Sequence, residues 1–161
     1  MNEEKFVSTI FSSIEDKGLR AAFRRADSSR LNFRCIEFLL KHGVRADDVF
    51  ERTAALTIMA LIARSNVNKN GSINFASALA LCYTDKSNSD AAVLRIKKIC
   101  SCENVQELAS SLRRLIALIS SKNINVDYVS LLKDLMLFQY ENQRDNLRIK
   151  WMKEFYSSEE L

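Results

Sequence analysis

At 161 residues and 47% hydrophobic content the chain can bury one sizeable core or two small helical bundles, while three glycines and no proline exclude loop-rich, all-β and disordered classes, which lean on both for turns. No apolar run reaches the roughly 20 residues that span a bilayer, and the start MNEEKF lacks a basic signal region, so a cytoplasmic protein with no membrane partner is expected. The formal charge of +4 is modest, and its distribution matters more than its sum.

In chain order, Phe6, Ile10, Phe11 and Ile14 mark a first helix that breaks near Gly18. GLRAAFRRA starts a second from about Asp16, which aligns Lys17, Arg20 and Arg24 opposite Leu19, Phe23 and Ala26, with Arg25 beside the stripe. A third runs from about Leu31 to His42 and stops at Gly43, the usual C′ residue. The fourth, about Asp47 to Arg64, is apolar over AALTIMALIA and reads as the centre of an N-terminal bundle. After the polar stretch SNVNKNGSIN come helices near 74–83, 90–101, 104–120, 127–140 and 144–156. Within 104–120, Leu108, Leu112, Leu115, Ile116 and Ile119 share one face, which leaves Arg114 opposite and Arg113 on the flank. Neither arginine faces the core, so replacing both with alanine is expected to spare the fold.

These elements predict an all-α fold of two packed helical bundles with about eight to nine helices. The division is 1–65 for an N-terminal bundle, 66–89 for a turn-rich linker with one short helix, and 90–161 for a C-terminal bundle.

Charge is unevenly spread. Residues 17–45 carry Lys17, Arg20, Arg24, Arg25, Arg30, Arg34, Lys41 and Arg45 against only Asp27 and Glu37, and both ends are acidic, with Glu3 and Glu4 at the start and Glu159 and Glu160 at the close. A basic surface of this kind favours a polyanionic partner. Cys35, Cys82, Cys100 and Cys102 are irregularly spaced among apolar residues and read as reduced core thiols. The sole histidine, His42, has no partner at ligand spacing, so neither a structural metal nor a cofactor is expected.

NVNKNGSIN has the register of a calcium loop, yet its ligand positions are Asn66, Asn68, Asn70 and Ser77, without a carboxylate; an Asn-Gly turn explains it. One histidine, no nucleophile elbow and no phosphate-cradling glycine loop leave no basis for catalysis. Asp134, Glu141 and Asp145 are interleaved with Lys133, Arg144 and Arg148, as surface ion pairs are.

The C-terminal half has a distinctive order. ALALCY follows a G-S-I-N turn; then come S-x-x-x-x-x-R-I-x-x-I, EL-x-x-x-LRRLIALI, NVDYVSLLKDLMLF, and R-x-x-x-R-I-K-W-x-x-x-F-Y. This order resembles the small subunit of the type I-E CRISPR Cascade complex, the CasB family, over about residues 54 to 156, with a fainter echo in GLRAAFRRA. The resemblance implies a non-catalytic helical subunit that sits as a pair within an RNA-guided surveillance complex. Its partners would be guide RNA, target DNA as single strand and R-loop, the backbone and large subunits, and a second copy of itself.

By that resemblance the nucleic-acid-binding residues would be Arg20, Arg24, Arg25, Arg95, Lys98, Arg113, Arg114, Arg144 and Arg148. The chain departs from the family pattern twice: Leu94 stands where a second arginine is usual, and Ala76-Ser77 where G-R is usual. Lys97 and Lys98 could supply charge there, although lysine lacks the fork of a guanidinium. Guanidinium groups in a row follow a phosphate backbone without reading bases. About 4 to 6 such contacts predict a slope of log K against log salt of roughly −3 to −4 on single strands. Two other classes remain open from the residues, a stand-alone helical DNA-binding regulator and a protein-only helical adaptor. A regulator would cluster base-reading side chains at one helix N-terminus, whereas here the cations spread over several helices.

Overall fold

The computed structural model describes residues 1–86 and 88–158; residue 87 of the linker and the tail glutamates Glu159 and Glu160 lie outside it. Among the described residues there are nine helices and no strand: α1 Glu3–Ser13, α2 Lys17–Phe23, α3 Phe33–Lys41, α4 Val49–Arg64, α5 Phe75–Leu81, α6 Asp90–Cys100, α7 Val105–Ser121, α8 Tyr128–Phe138 and α9 Glu141–Ser157. The all-α expectation holds, and each predicted helix is present within a few residues of its expected ends.

The helix starts follow capping chemistry. Asn2, Asp16, Asn32, Asp48, Ser89, Asn104 and Asp127 each accept a hydrogen bond from an amide of the following first turn. The acidic start acquires a physical reason, since Glu3 and Glu4 fall in the first turn of α1, where the helix dipole favours negative charge.

The stops are less uniform, because three glycines cannot end nine helices. Gly43 closes α3 at φ +74°, and Asn123 takes the left-handed position after α7 at φ 58°. Elsewhere arginines do the work. Arg20 donates to the carbonyls of Ala63 (3.1 Å) and Ser65 (2.7 Å) at the end of α4, Arg24 also donates to Ala63, and Arg64 returns two bonds to the Arg24 carbonyl at the end of α2. Each helix thus supplies the cation for the other's negative end. Arg144 closes α8 through the Phe138 carbonyl at 2.9 Å, and Arg148 reaches the Cys102 carbonyl beyond α6 at 2.7 Å.

Packing centres on α4, which is buried on nearly every side, as its all-round apolar sequence requires. It packs on α1, α2 and α3 and also on α7 and α8, while α9 covers α5, α6 and α8. One continuous core runs from Phe6 to Phe155. Trp151 sits at the C-terminal end of that core, edge-on to Phe75 (5.3 Å) and stacked with Phe138 (5.6 Å).

Two expectations from spacing are corrected. Asp134 is buried rather than a surface ion-pair residue: it accepts from Trp151 Nε1 at 2.9 Å and Lys150 Nζ at 2.6 Å, which ties α8 to α9. Asn70 and Gly71 form no hydrogen-bonded turn, and Gly71 has no positive φ, so a turn is not the reason for the glycine. Its amide donates to the Val126 carbonyl at 2.9 Å, Asp127 donates back to Ile73 at 2.8 Å, and an isolated parallel bridge joins Ile73 to Val126. Asn70 seals this junction, donating to Asp127 Oδ1 and accepting from the Tyr128 amide.

Candidate nucleic-acid interface

Helices α6 and α7 pack side by side and leave between them a cleft of about 270 Å³ lined by Leu94, Arg95, Lys98, Ile99, Ser111, Arg114 and Leu115. The helical repeat explains the grouping. Arg95 and Lys98 are three residues apart on α6, so they project on one side, away from buried Ile96 and beside Ile99 at the cleft floor. On α7, Leu112, Leu115 and Ile116 turn inward, which leaves Arg114 exposed on the cleft rim.

The three cations at this rim are exposed, and no carboxylate among the described residues forms a salt bridge with any of them. Arg95 is held in place, since its guanidinium lies over the Tyr83 ring (6.0 Å to the centroid) and donates to the Tyr83 hydroxyl. A fixed fork and two unneutralised cations form a surface suited to phosphate oxygens.

The other candidates are placed differently. Arg20 and Arg24 point at the α4 carbonyls described above, and Arg25 is exposed next to them. Arg144 is bonded to the end of α8 and lies over the Phe138 ring at 5.6 Å. Arg148 is engaged by Asp145, Glu103 and the Cys102 carbonyl. Arg113 does not point free from the flank of α7: it pairs through Nε (3.0 Å) and a terminal nitrogen with Asp27, whose side chain is 6% exposed. The structure therefore gathers Arg95, Lys98 and Arg114 in one cleft, leaves Arg25 apart, and engages Arg20, Arg24, Arg113, Arg144 and Arg148 in internal bonds.

Burial raises all four thiols above their ordinary range. Burial pushes Cys35 and Cys100 up to about 11, which keeps them protonated near neutrality. Among the described residues no group of three or more His, Cys, Asp or Glu could hold a metal ion, and no helix is long and apolar enough to cross a membrane.

Sequence periodicity did not reveal a second surface on α3. Its inner face buries Cys35, Phe38 and Leu39, yet its outer face presents Phe33 at 86% and Leu40 at 62% exposure, with Ile36 between them and Arg34 and Lys41 at the edges. The outer face thus sets exposed apolar side chains beside the exposed Glu37–Lys41 ion pair. The signal was legible as an excess of apolar residues over what one buried stripe needs.

The family model described as CRISPR-associated protein Cse2 matches residues 19–156. No curated protein matches the sequence. Among solved structures, the fold is similar to CasB from Thermobifida fusca, with TM-score 0.73 and 18% identity over 96% of this chain and 98% of that one. It is similar to M. ruber CasB with TM-score 0.76 and 21% identity, covering 98% and 94% of the two chains. It is also similar to a chain of a structure described as a CRISPR RNA-guided surveillance complex, with TM-score 0.59 and 20% identity over 97% and 89%.

Proposed function

Because the chain belongs to the CRISPR-associated protein Cse2 family, we propose that it is a non-catalytic subunit of an RNA-guided surveillance (Cascade) complex that binds nucleic acid through the α6–α7 cleft. The observation that carries this reading is the gathering of Arg95, Lys98 and Arg114, all exposed, on one rim. In the complex the cleft lies along guide RNA or target DNA and steadies the opened strand, in the cytoplasm, with a second copy and the backbone and large subunits as neighbours. The fold shared with a surveillance-complex chain supports that assembly.

Three phosphate contacts give a salt slope of about −2 on single strands, shallower than the roughly −3 to −4 expected from about 4 to 6 contacts. Changing Arg95 and Lys98 to alanine in the full chain should reduce the slope by about 1.4, with melting unchanged because both side chains are exposed. Titration of a single strand across a salt series checks this, and a slope equal to wild type would sink the assignment.

The outer face of α3 supports the protein-contact half of the proposal, because a phenylalanine this exposed loses transfer free energy until something covers it. Changing Phe33 and Leu40 together to serine should leave the isolated chain folded and weaken its docking into the complex by about thirtyfold or more. Co-purification with the other subunits decides the matter; normal incorporation would remove α3 from the interface.

A further inference from the structure

The α6–α7 cleft has a feature that phosphate contact does not use. Its walls include Leu94, Ile99 and Leu115, and Leu94 is 68% exposed although it stands on the same helix face as the cations. Phosphate oxygens are met by N–H donors, and an apolar floor beneath those donors adds nothing to that contact. A nucleotide, in contrast, offers a charged phosphate and, one side-chain length away, a flat base whose faces shed water readily. The cleft volume of about 270 Å³ is many times what a single water needs, so there is room for a larger group. A duplex base is stacked and paired and reaches a pocket only after flipping out at the cost of unstacking and unpairing, so a single strand is the form favoured here.

We propose that the cleft takes one unstacked nucleobase of a single strand. The base packs on the exposed Leu94 side chain, beneath which Ile99 and Leu115 are buried, and its neighbouring phosphates meet Arg95, Lys98 and Arg114. Among the described residues no aromatic side chain lines the cleft, so the planar partner available to the base is a guanidinium, and Arg95 is already held by Tyr83. The inference rests on the nucleic-acid reading above and adds to it the form of nucleic acid preferred.

The test compares a thymidine strand with an abasic strand of the same length, which keeps the phosphates and removes the bases. The wild-type chain should bind the base-bearing strand about fivefold more tightly or better at equal salt. Leu94→Ser, an exposed change that spares the core, should bring that ratio to near one and leave the salt slope intact. A 2-aminopurine placed in the thymidine strand should brighten on binding as it leaves the stack, and brighten less with the variant. Equal affinity for the two strands with an intact salt slope overturns the base pocket while the nucleic-acid reading stands. No binding to either strand by the folded chain overturns both.

Discussion

Replacing Gly71 with alanine should destabilise the protein by about 3 kcal/mol or more, the upper range for overpacking. A Cβ at this position would lie 2.1 Å from the Asn125 carbonyl oxygen and 2.4 Å from its carbonyl carbon, and both atoms belong to backbone that cannot rotate away. The neighbours are fixed as well. Asn125 donates to Lys69, Gly71 to Val126, Asp127 to Ile73, and Asn70 bonds both the Asp127 carboxylate and the Tyr128 amide. Relief therefore moves the start of α8, where Tyr128 is fully buried and meets Phe11 edge-on at 6.0 Å. At about 2–4 °C per kcal/mol for a chain of this size, melting should fall by about 6–12 °C. Gly43→Ala is the control, because that glycine carries positive φ but meets nothing within 4 Å, so strain alone should cost about 1–2 kcal/mol. If Gly71→Ala melts within about 2 °C of wild type, the close approach of the two loops is absent in solution.

The Gly71 junction marks the limit of what the sequence discloses. Helix positions follow from local rules, since three-and-four spacing, Asp and Asn caps and Gly43 all act within a few residues, and the nine helices lie close to where periodicity puts them. NVNKNGSIN was legible as a polar break, but its partner Asn125–Asp127 lies more than fifty residues away, and nothing local says that two backbones will touch. Asp134 misled for a related reason: spacing offered Lys133 beside it, whereas the buried partners are Trp151 and Lys150 on another helix.

The candidate site was legible as a set of cations and not as a surface. A helical chain with three glycines has more helix ends than glycine caps, and cations near those ends are drawn to the orphan carbonyls. That count was open to view. It anticipates internal use of arginines such as Arg20, Arg144 and Arg148, although which carbonyl each reaches depends on tertiary packing. What remains outside is Arg25 and the rim of Arg95, Lys98 and Arg114, none of which is bonded to a helix-end carbonyl among the described residues.

Arg113 and Arg114 are adjacent in sequence and should separate completely in their effects. Arg113→Ala removes both donors from Asp27 Oδ2, while Oδ1 of the same buried carboxylate already has no partner. An unpaired buried carboxylate costs about 3–5 kcal/mol when its partner is fully enclosed. Arg113 is 35% exposed, so water recovers part of that, and about 2–3 kcal/mol with a melting decrease of about 4–12 °C is expected. Adding Asp27→Asn to Arg113→Ala removes the stranded charge and should restore part of the loss, a coupling that a double-mutant cycle reads directly. Arg114→Ala should instead change stability by no more than about 0.5 kcal/mol, because the side chain is exposed and alanine is the better helix former. Its cost falls on binding: loss of one charge-assisted phosphate contact weakens affinity by about 1.5–3 kcal/mol and shrinks the salt slope by about 0.7. The alanine pair made together would therefore confound folding with binding, contrary to the expectation that both changes spare the fold. The singles resolve it, by thermal melting and salt-dependent titration on the same preparations. Arg113→Ala melting as wild type would show that the Asp27 pair contributes nothing in solution, and Arg114→Ala with unaltered affinity and slope would show that Arg114 only solvates its helix face.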